Sequence, residues 1–278
     1  KDKAKHVVFI GLDGWGAYSL PKADMPNVKK LMEDGAYTLK KRSALPSSSA
    51  INWASMFMGA GPELHGYTEW GSKTPELPSR VLNKNGIFPT VFQLLRDARP
   101  EAEIGCLYEW EGIKYVVDTL SLNYHYHVAD CNKTPKELGN MASAYIKEKH
   151  PALVAICYDG PDHTGHTEGH DTPAYYEKLK ELDIYVGQIV QAVKDAGILD
   201  DTIFILTSDH GGIDKGHGGK TMQEMETAFI ISGKNIKKGL RFDDVSMMQY
   251  DVASTIASIF NLEQPQVWIG RPMKMVFK

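Results

Sequence analysis

Cysteine is scarce in this chain, which has only three among its 278 residues. Three thiols cannot all pair within one chain, and Cys157 lies in an apolar run, where a thiol usually acts as a small buried hydrophobic group. The pairing that the sequence leaves open is a disulfide between Cys106 and Cys131. With 42% hydrophobic residues, a chain of this length can bury a full core, and we predict one domain over residues 1–278.

Long apolar runs and an excess of positive charge are also absent. No stretch approaches the ~20 apolar residues of a membrane-spanning helix, and no apolar signal core follows the opening KDKAKH. The chain begins at Lys1 rather than at methionine, which we interpret as the end left by signal-peptide removal, and hence as a periplasmic or secreted location. The net charge of −4 provides no excess of positive charge for binding a polyanion. We therefore expect a small-molecule substrate and no nucleic-acid polymer.

Strand-like and helix-like segments alternate along the chain. Short apolar runs rich in β-branched residues predict strands buried on both faces at 6–13, 102–108, 152–159, 202–209 and 227–233. Helical patterns, several with an early Pro or a Thr cap, occupy 26–35, 89–98, 134–150, 172–197 and 251–260. This order predicts an α/β fold, a three-layer α/β/α sandwich around a mostly parallel sheet. We expect an irregular lid or rim at about 67–131, least regular over 67–86.

Acidic residues stand where the predicted strands end. Asp13 ends the first strand, Asp159 and Asp162 follow the run at 152–159, and Asp209 follows another. A single such Asp is usually a helix cap or a turn residue. Since ligands bind beyond the carboxyl ends of strands in open α/β sheets, three such ends favour one shared crevice. Carboxylates that converge there repel one another unless cations lie between them.

Histidines accompany these carboxylates. His166 lies four residues after Asp162, His210 follows Asp209, and His217 lies in a glycine-rich loop. Asp and His are ligands of zinc, and glycines permit close backbone approach, so this pattern predicts a zinc site. The loop of His166 contains two competing candidates, His163 and His170. The remaining histidines are expected to be ordinary surface residues: His6, His65, His125, His127 and His150.

A serine triplet precedes the apolar run AINWASMFM. The helical spacing of that run places Ser49 at or near a helix N-terminus, where free N–H groups and the helix dipole stabilise an alkoxide or a phosphoryl oxygen. The ordinary alternative is that one of the three serines, 47 to 49, caps the helix. A serine becomes a nucleophile near neutral pH through a metal or a base, and no GxSxG motif is present.

Six short motifs follow one another along almost the whole chain: GLDG (11–14), SAIN (49–52), PELHG (62–66), PDHTGH (161–166), SDHG (208–211) and GHGG (216–219). In this order they resemble the alkaline phosphatase superfamily, and within it most closely the nucleotide pyrophosphatase/phosphodiesterase branch. That branch usually has a threonine nucleophile three residues before an asparagine, and Ser49 and Asn52 occupy the matching positions. The chain departs from the branch at Ala50 and Ile51, where Phe and Pro are usual, and at Glu69 or Trp70, where an asparagine usually helps to hold the phosphoryl group.

The resemblance implies a two-zinc phosphoric ester hydrolase that works through a phosphoseryl intermediate. One zinc would be held by Asp162, His166 and His217, and the other by Asp13, Asp209, His210 and the oxygen of Ser49. Asn52 would donate a hydrogen bond to a non-bridging phosphoryl oxygen. Two further residues are candidates for contacting the substrate, Trp70 and Lys220.

The leaving group is suggested by what surrounds the motifs. A strict monoesterase pairs its nearly dianionic substrate with extra positive charge, and no arginine lies nearer to the motifs in sequence than Arg42 and Arg80. Trp53, Tyr67 and Trp70 flank the nucleophile segment and could stack on a planar group, although Trp53 could equally belong to the core. We therefore favour phosphodiesters or aryl and nucleotide-like phosphate esters.

Other function classes were weighed against this one. The alternatives that stay open are a phosphomonoesterase and a non-catalytic, metal-stabilised binding protein. A sulfatase would need a C/S-x-P-x-R context that the sequence lacks. A cofactor-independent phosphoglycerate mutase would need a large inserted domain, for which 278 residues leave no room.

Overall fold

The computed structural model of the chain describes residues 1–128 and 135–278. Eight strands form one sheet: β1 His6–Asp13, β2 Gly35–Arg42, β3 Ile104–Tyr108, β4 Tyr124–His127, β5 Leu153–Pro161, β6 Thr202–Thr207, β7 Glu226–Gly233 and β8 Leu240–Arg241. Their spatial order is β4-β3-β5-β1-β6-β7-β2-β8. The pairs from β4 to β6 are parallel, whereas β7 is antiparallel to both β6 and β2. The prediction of a mostly parallel sheet is confirmed.

Helices lie against the sheet and at its ends. Their bounds are α1 Pro26–Glu33, α2 Ser49–Met58, α3 Pro62–His65, α4 Val91–Ala98, α5 Pro135–Lys149, α6 Asp162–Glu168, α7 Pro173–Asp195, α8 Met222–Met225 and α9 Tyr250–Ile259. In the part of the chain that the structure describes, no helix is both long and apolar enough to cross a membrane.

Strand β1 shows how the apolar runs build two cores. Side chains alternate between the faces of a strand, so Val7 and Phe9 join one cluster with α2, α4 and α9. Val8 and Ile10 join the opposite cluster with α1, α5 and α7. Both sets are buried, which explains why the run is apolar without alternation. The three-layer α/β/α architecture is confirmed.

Helix α2 begins at Ser49 and runs through the core. All ten of its residues are buried, so the apolar run after the serines is explained by packing on every side. The helix ends at Gly59, which adopts φ +62°. A side chain there would also collide with the Trp268 ring, 2.2 Å from an ideal Cβ, so glycine is required at this helix end.

The expected irregular region is smaller than predicted. Residues 66–90 contain no helix or strand, but α4, β3 and β4 follow and belong to the main fold. Strand β2 was not predicted, because its segment is not a continuous apolar run. Exposed and buried residues alternate towards its end, where Lys40 is exposed while Lys41 is buried. The prediction about Cys131 lies outside the described residues, and Cys106 and Cys157 are buried free thiols.

Candidate active site

Three neighbouring strands deliver the acidic residues to one edge of the sheet. Strands β5, β1 and β6 are adjacent and parallel, so their carboxyl ends coincide. Asp13 ends β1, Asp162 begins α6 directly after β5, and Asp209 and His210 follow β6. Gly14, which follows β1, lies very close to Asp162, which follows β5: a Cβ on Gly14 (φ +71°) would be 2.8 Å from a carboxylate oxygen of Asp162. Glycine at this position therefore allows the two strand ends to meet.

The first group of potential ligands comprises Asp13, Asp209 and His210. One ligand atom from each lies within 4.8 Å of the others, and all three side chains are buried. His210 Nε2 is 3.3 Å from an oxygen of Asp13 and 3.3 Å from an oxygen of Asp209. The Gly14 N–H donates to the other Asp209 oxygen at 3.0 Å, which fixes the direction of that carboxylate.

The second group comprises Asp162, His166 and His217, again with ligand atoms within 4.8 Å of one another. His166 Nε2 is 3.3 Å from Asp162 Oδ2, and His217 Nε2 is 3.5 Å from Asp162 Oδ1. His166 lies on the same face of α6 as Asp162, because the two residues are four apart. His217 arrives from the loop after β6. This group is more exposed than the first, with His166 at its open side.

The chemistry of these donors fits divalent cations. Each histidine has Nδ1 within hydrogen-bond distance of a backbone carbonyl: 2.9 Å for His166, 2.6 Å for His210 and 2.8 Å for His217. A carbonyl only accepts, so Nδ1 carries a hydrogen, and a ring that gives up its other proton to bind a cation would present the lone pair of Nε2 beside the carboxylates. Accordingly, the buried oxygens Asp162 Oδ1 and Asp209 Oδ2 make no hydrogen bond to described residues. Acceptors that face one another in this way call for a cation between them.

Proton affinities in the two groups reflect the same crowding of charge. Burial, reinforced by the charges of Asp209 and Asp162, raises the pKa of Asp13 well above its usual value. Burial alone would lower the pKa of His210, but the Asp209 and Asp13 carboxylates raise it to about 10. The hydrogen bond to Asp162 raises the pKa of His166 to about 9. Without a metal, protons on these two rings therefore balance the carboxylates near neutral pH.

Ser49 is the first residue of α2 and faces the first group. Its Oγ lies 3.2 Å from His210 Nε2 and 3.3 and 3.4 Å from the two oxygens of Asp13. Asp13 is held in turn by the indole N–H of Trp53, which donates to it at 3.1 Å. Trp53 has no exposed surface, so it belongs to the core and supports the site from behind.

A cavity of about 460 Å³ opens over both groups and is lined by Asp13, Ser48, Ser49, Trp70, Trp110, Asp159, Asp162, His166 and His217. Trp70 is 67% exposed, whereas Tyr67 is buried at 2% and contributes no lining. Trp110 was missed by the sequence analysis, because no motif marks it and only the fold brings it here from the loop after β3. Two indoles therefore border the space beside Ser49.

Asn52 does not face this cavity, and its expected contact with a phosphoryl group is not what the structure supports. The side chain has no exposed surface. Its oxygen accepts from Ala44 N–H at 2.7 Å, and its NH₂ group lies within hydrogen-bond distance of the Ala44, Pro46 and Ser48 carbonyls. Because these backbone groups use the amide fully, Asn52 holds the loop before the nucleophile.

Replacing Asn52 with alanine should therefore act mainly on stability. The buried Ala44 N–H and the Ala44 carbonyl would lose their Asn52 partner, whereas the Pro46 and Ser48 carbonyls keep backbone N–H donors, and the loss should cost about 1–3 kcal/mol of unfolding free energy. Chemical denaturation measures this loss. Asn140→Ala on the exposed surface of α5 is the control and should change stability by less than about 0.5 kcal/mol. An Asn52→Ala protein as stable as the wild type would contradict the assigned role.

The fold shows where the other candidate residues lie. Lys220 is exposed and does not line the cavity. His163 is exposed, and His170 is buried against the Tyr18 hydroxyl at 2.9 Å, so neither belongs to the two groups. The expectation that His65 is a surface residue is wrong. It is fully buried between Ser55 and Tyr67, and burial lowers its pKa to about 3.

A buried lysine behind the site was not predicted from the sequence. Lys41 has no exposed surface and donates to the Ser208 carbonyl at 3.0 Å and to the Gln249 side chain. Gln249 donates to the Asp209 carbonyl at 2.7 Å. Burial lowers the pKa of Lys41 well below its usual value. Together the two side chains satisfy carbonyls at the end of β6 and so fix the backbone that carries Asp209.

Known proteins resemble the chain over most of its length. Residues 7–229 match the family described as type I phosphodiesterase / nucleotide pyrophosphatase. The bis(5'-adenosyl)-triphosphatase enpp4 of Mus musculus is 26% identical over 219 residues, 75% of this chain and 47% of that protein. The GPI ethanolamine phosphate transferase 3 of Schizosaccharomyces pombe is 29% identical over 122 residues, 43% of this chain and 13% of that protein. The chain thus spans half or less of the length of these relatives.

Solved structures share the fold. Murine ectonucleotide pyrophosphatase/phosphodiesterase 5, an inactive variant in complex with AMP, has a TM-score of 0.73 at 14% identity, covering 94% of this chain and 96% of that one. A 2-O GAG sulfatase has a TM-score of 0.77 at 14% identity, covering 98% of this chain and 73% of that one. At such identities the likeness concerns the architecture, which an esterase and a sulfatase have in common.

Proposed function

The chain belongs to the type I phosphodiesterase/nucleotide pyrophosphatase family, and on that premise we propose that it hydrolyses phosphodiesters or nucleotide-like and aryl phosphate esters through a phosphoseryl intermediate. The observation that carries the proposal is the position of Ser49. Its hydroxyl stands at the N-terminus of α2, 3.2 Å from His210 Nε2, at the floor of a cavity that both ligand groups border. A nucleophile, two cation sites and space for a substrate thus meet at one point.

We assign the chain's own groups the following parts. Asp13 orients the Ser49 hydroxyl, since its oxygens lie 3.3 and 3.4 Å from Oγ. Ser49 Oγ gives up its proton and forms a bond to phosphorus while one ester bond breaks and the leaving alcohol departs with a proton. Water then cleaves the bond between phosphorus and the serine oxygen, which releases a phosphate monoester when the substrate is a diester and restores the serine hydroxyl. Two bound zinc ions would lower the pKa of the hydroxyl and neutralise charge on the phosphoryl oxygens. The N-terminal dipole of α2 favours the same negative charge.

The two groups would each hold one zinc. Asp13, Asp209 and His210, with the Ser49 oxygen, form the inner site, and Asp162, His166 and His217 form the outer one. Support comes from the donor types, from the Nδ1 hydrogen bonds that leave Nε2 free, and from the two buried oxygens without hydrogen bonds. The buried carboxylates make the inner site costly to leave without a cation.

The cavity lining supports esters with a large planar group. Within residues 1–128 and 135–278, no lysine or arginine lines the cavity, whereas Trp70 and Trp110 do, and indole rings stack on planar groups. A dianionic monoester would lack the cationic partner that such substrates need. The relatives point the same way: the mouse protein is named for a dinucleotide substrate, and the murine structure contains AMP.

The direct test is the ratio of kcat/KM for a nitrophenyl phosphate diester to that for the matching monoester, both measured with zinc-loaded protein. We expect the diester to be preferred by about tenfold or more, because the cavity has no side-chain cation for the second charge of the monoester. A tenfold preference for the monoester would instead favour the phosphomonoesterase. No turnover of either ester above the Ser49→Ala background would favour a metal-stabilised binding protein.

A further inference from the structure

Ser48 is the N-cap residue of α2, yet its hydroxyl does not cap the helix. A serine at this position, with the extended backbone seen here (φ −135°, ψ 167°), normally accepts a hydrogen bond from an N–H of the first turn. In this structure no such side-chain bond is formed. The Ala50 N–H donates instead to the Trp70 carbonyl at 3.0 Å. The Trp70 carbonyl thus accepts the N–H bond that a helix cap would accept, and the Ser48 hydroxyl makes no capping hydrogen bond.

Ser48 lines the cavity, and its hydroxyl lies beside a second lining residue, His217. Its recorded contact is with His217 Nδ1 at 3.4 Å, and that nitrogen already donates to the Ser47 carbonyl at 2.8 Å. Since Nδ1 carries the hydrogen, it cannot accept from the hydroxyl. Among the described residues, the Ser48 O–H therefore has no acceptor, and it can donate a hydrogen bond to a ligand in the cavity.

A phosphoryl group in this cavity would have few other donors. The Asn52 amide is buried and used by the 44–48 loop, and Lys220 does not line the cavity. Among the lining residues, the carboxylates cannot donate when ionised, and the histidine Nε2 atoms face the proposed cations. In the described part of the chain, and apart from the two indoles and Ser49 itself, Ser48 supplies the remaining side-chain hydrogen-bond donor of the lining.

We infer that the Ser48 hydroxyl donates a hydrogen bond to a non-bridging oxygen of the phosphoryl group during its transfer to Ser49. The inference rests on the proposed function and adds a catalytic residue to it. Ser48 and Ser49 line the same cavity, which places the donor near the bond being formed, and negative charge on the non-bridging oxygens strengthens the hydrogen bond. Ser48 thereby takes the part that the sequence motif assigned to Asn52, contrary to the expectation that it serves only as a cap.

The test is Ser48→Ala, assayed with a nitrophenyl phosphate diester at saturating zinc. We expect kcat to fall about 10- to 100-fold with little change in KM, because the bond matters most in the transition state. Ser48→Thr keeps the hydroxyl and should recover most of the activity. The thermal midpoint of Ser48→Ala should shift by less than about 2 °C, because no helix cap is lost. A lowered midpoint with unchanged kcat would show a structural role and overturn the inference.

A second measurement does not depend on turnover. Calorimetric binding of inorganic phosphate to the zinc-loaded protein should be weakened about fivefold or more by Ser48→Ala, because inorganic phosphate, unlike the ground-state diester, carries enough negative charge on its oxygens to make this a strong charge-assisted hydrogen bond. Equal phosphate affinity in the variant and the wild type would overturn the inference. If the wild type bound phosphate but turned over no diester, the proposed function would fail, and the phosphate comparison would still decide the role of Ser48.

Ser47→Ala is the matched control. Ser47 Oγ donates to the Gly219 carbonyl at 2.7 Å and accepts from Gly218 N–H at 2.9 Å, so it fastens the loop that carries His217. Its loss should raise the zinc concentration needed for half-maximal activity rather than reproduce the kcat effect of Ser48→Ala at saturating zinc. If both variants showed the same kcat loss at saturating zinc, loop displacement would explain Ser48→Ala and the inference would be wrong.

Discussion

Replacing Ser49 with alanine should lower the rate of diester hydrolysis by about 10³-fold or more. The change removes the proposed nucleophile, whose oxygen is also the proposed fourth ligand of the inner site. Ser49 is at an N-terminal position of α2, where alanine is well tolerated, and the backbone bond of Ala50 to Trp70 is unaffected. Zinc content should stay near that of the wild type, because the six Asp and His side chains of the two groups remain. Kinetics and metal analysis of one preparation measure both.

Ser49→Thr provides the control for this prediction. It keeps a hydroxyl at the same position and introduces the nucleophile that is usual in the branch the sequence resembles, so substantial activity should remain. Trapping with substrate in acid should give a phosphorylated peptide containing residue 49 in the wild type and none in Ser49→Ala. An active Ser49→Ala protein combined with an inactive Ser48→Ala protein would show that the nucleophile has been placed one residue too late.

Removal of metal should abolish activity, and zinc should restore it. We expect close to two zinc ions per chain, one for each group of ligands. At pH 7 the rings of His166 and His210 are protonated without metal, since their pKa values are raised to about 9 and about 10. Loading should therefore release about two protons, and zinc affinity should rise with pH up to that range. Fewer than about one ion per chain after zinc incubation would exclude a two-metal site.

Single substitutions can separate the two zinc ions. His217→Ala removes a ligand of the outer group and should reduce the zinc content by about one ion, with a large loss of activity. His163→Ala is the control, because His163 lies on α6 with His166 but is exposed and belongs to neither group. It should keep both ions and full activity. Equal zinc loss in the two variants would mean that the outer group has been assigned to the wrong histidines.

The ligand set was accessible from sequence because each ligand is linked to a local pattern. An apolar run that stops at an acidic residue marks a strand end, and parallel neighbours bring such ends together, so Asp13, Asp162 and Asp209 could be grouped before the fold was known. The spacing of His166 from Asp162 similarly follows from one helical turn. No local pattern groups His217 with Asp162 and His166; that grouping was implied by the family resemblance, and in the structure the loop of His217 is positioned by hydrogen bonds to Ser47.

The sequence by itself determined the α/β order of the chain, the strand-end carboxylates and the hydroxyl at the start of α2, because these depend on periodicity and on neighbours within a few residues. The tertiary structure alone decided which side chains line the cavity. Asn52 turns into the core because the carbonyls of the 44–48 loop surround it, and Ser48 is free because the Trp70 carbonyl takes its place at the helix end. Trp110 reaches the cavity from a distant loop. These orientations depend on which backbone groups the folded chain leaves in need of a partner, whether four to eight residues away for Asn52 or about twenty for Ala50 and Trp70, and periodicity in the sequence carries no record of that.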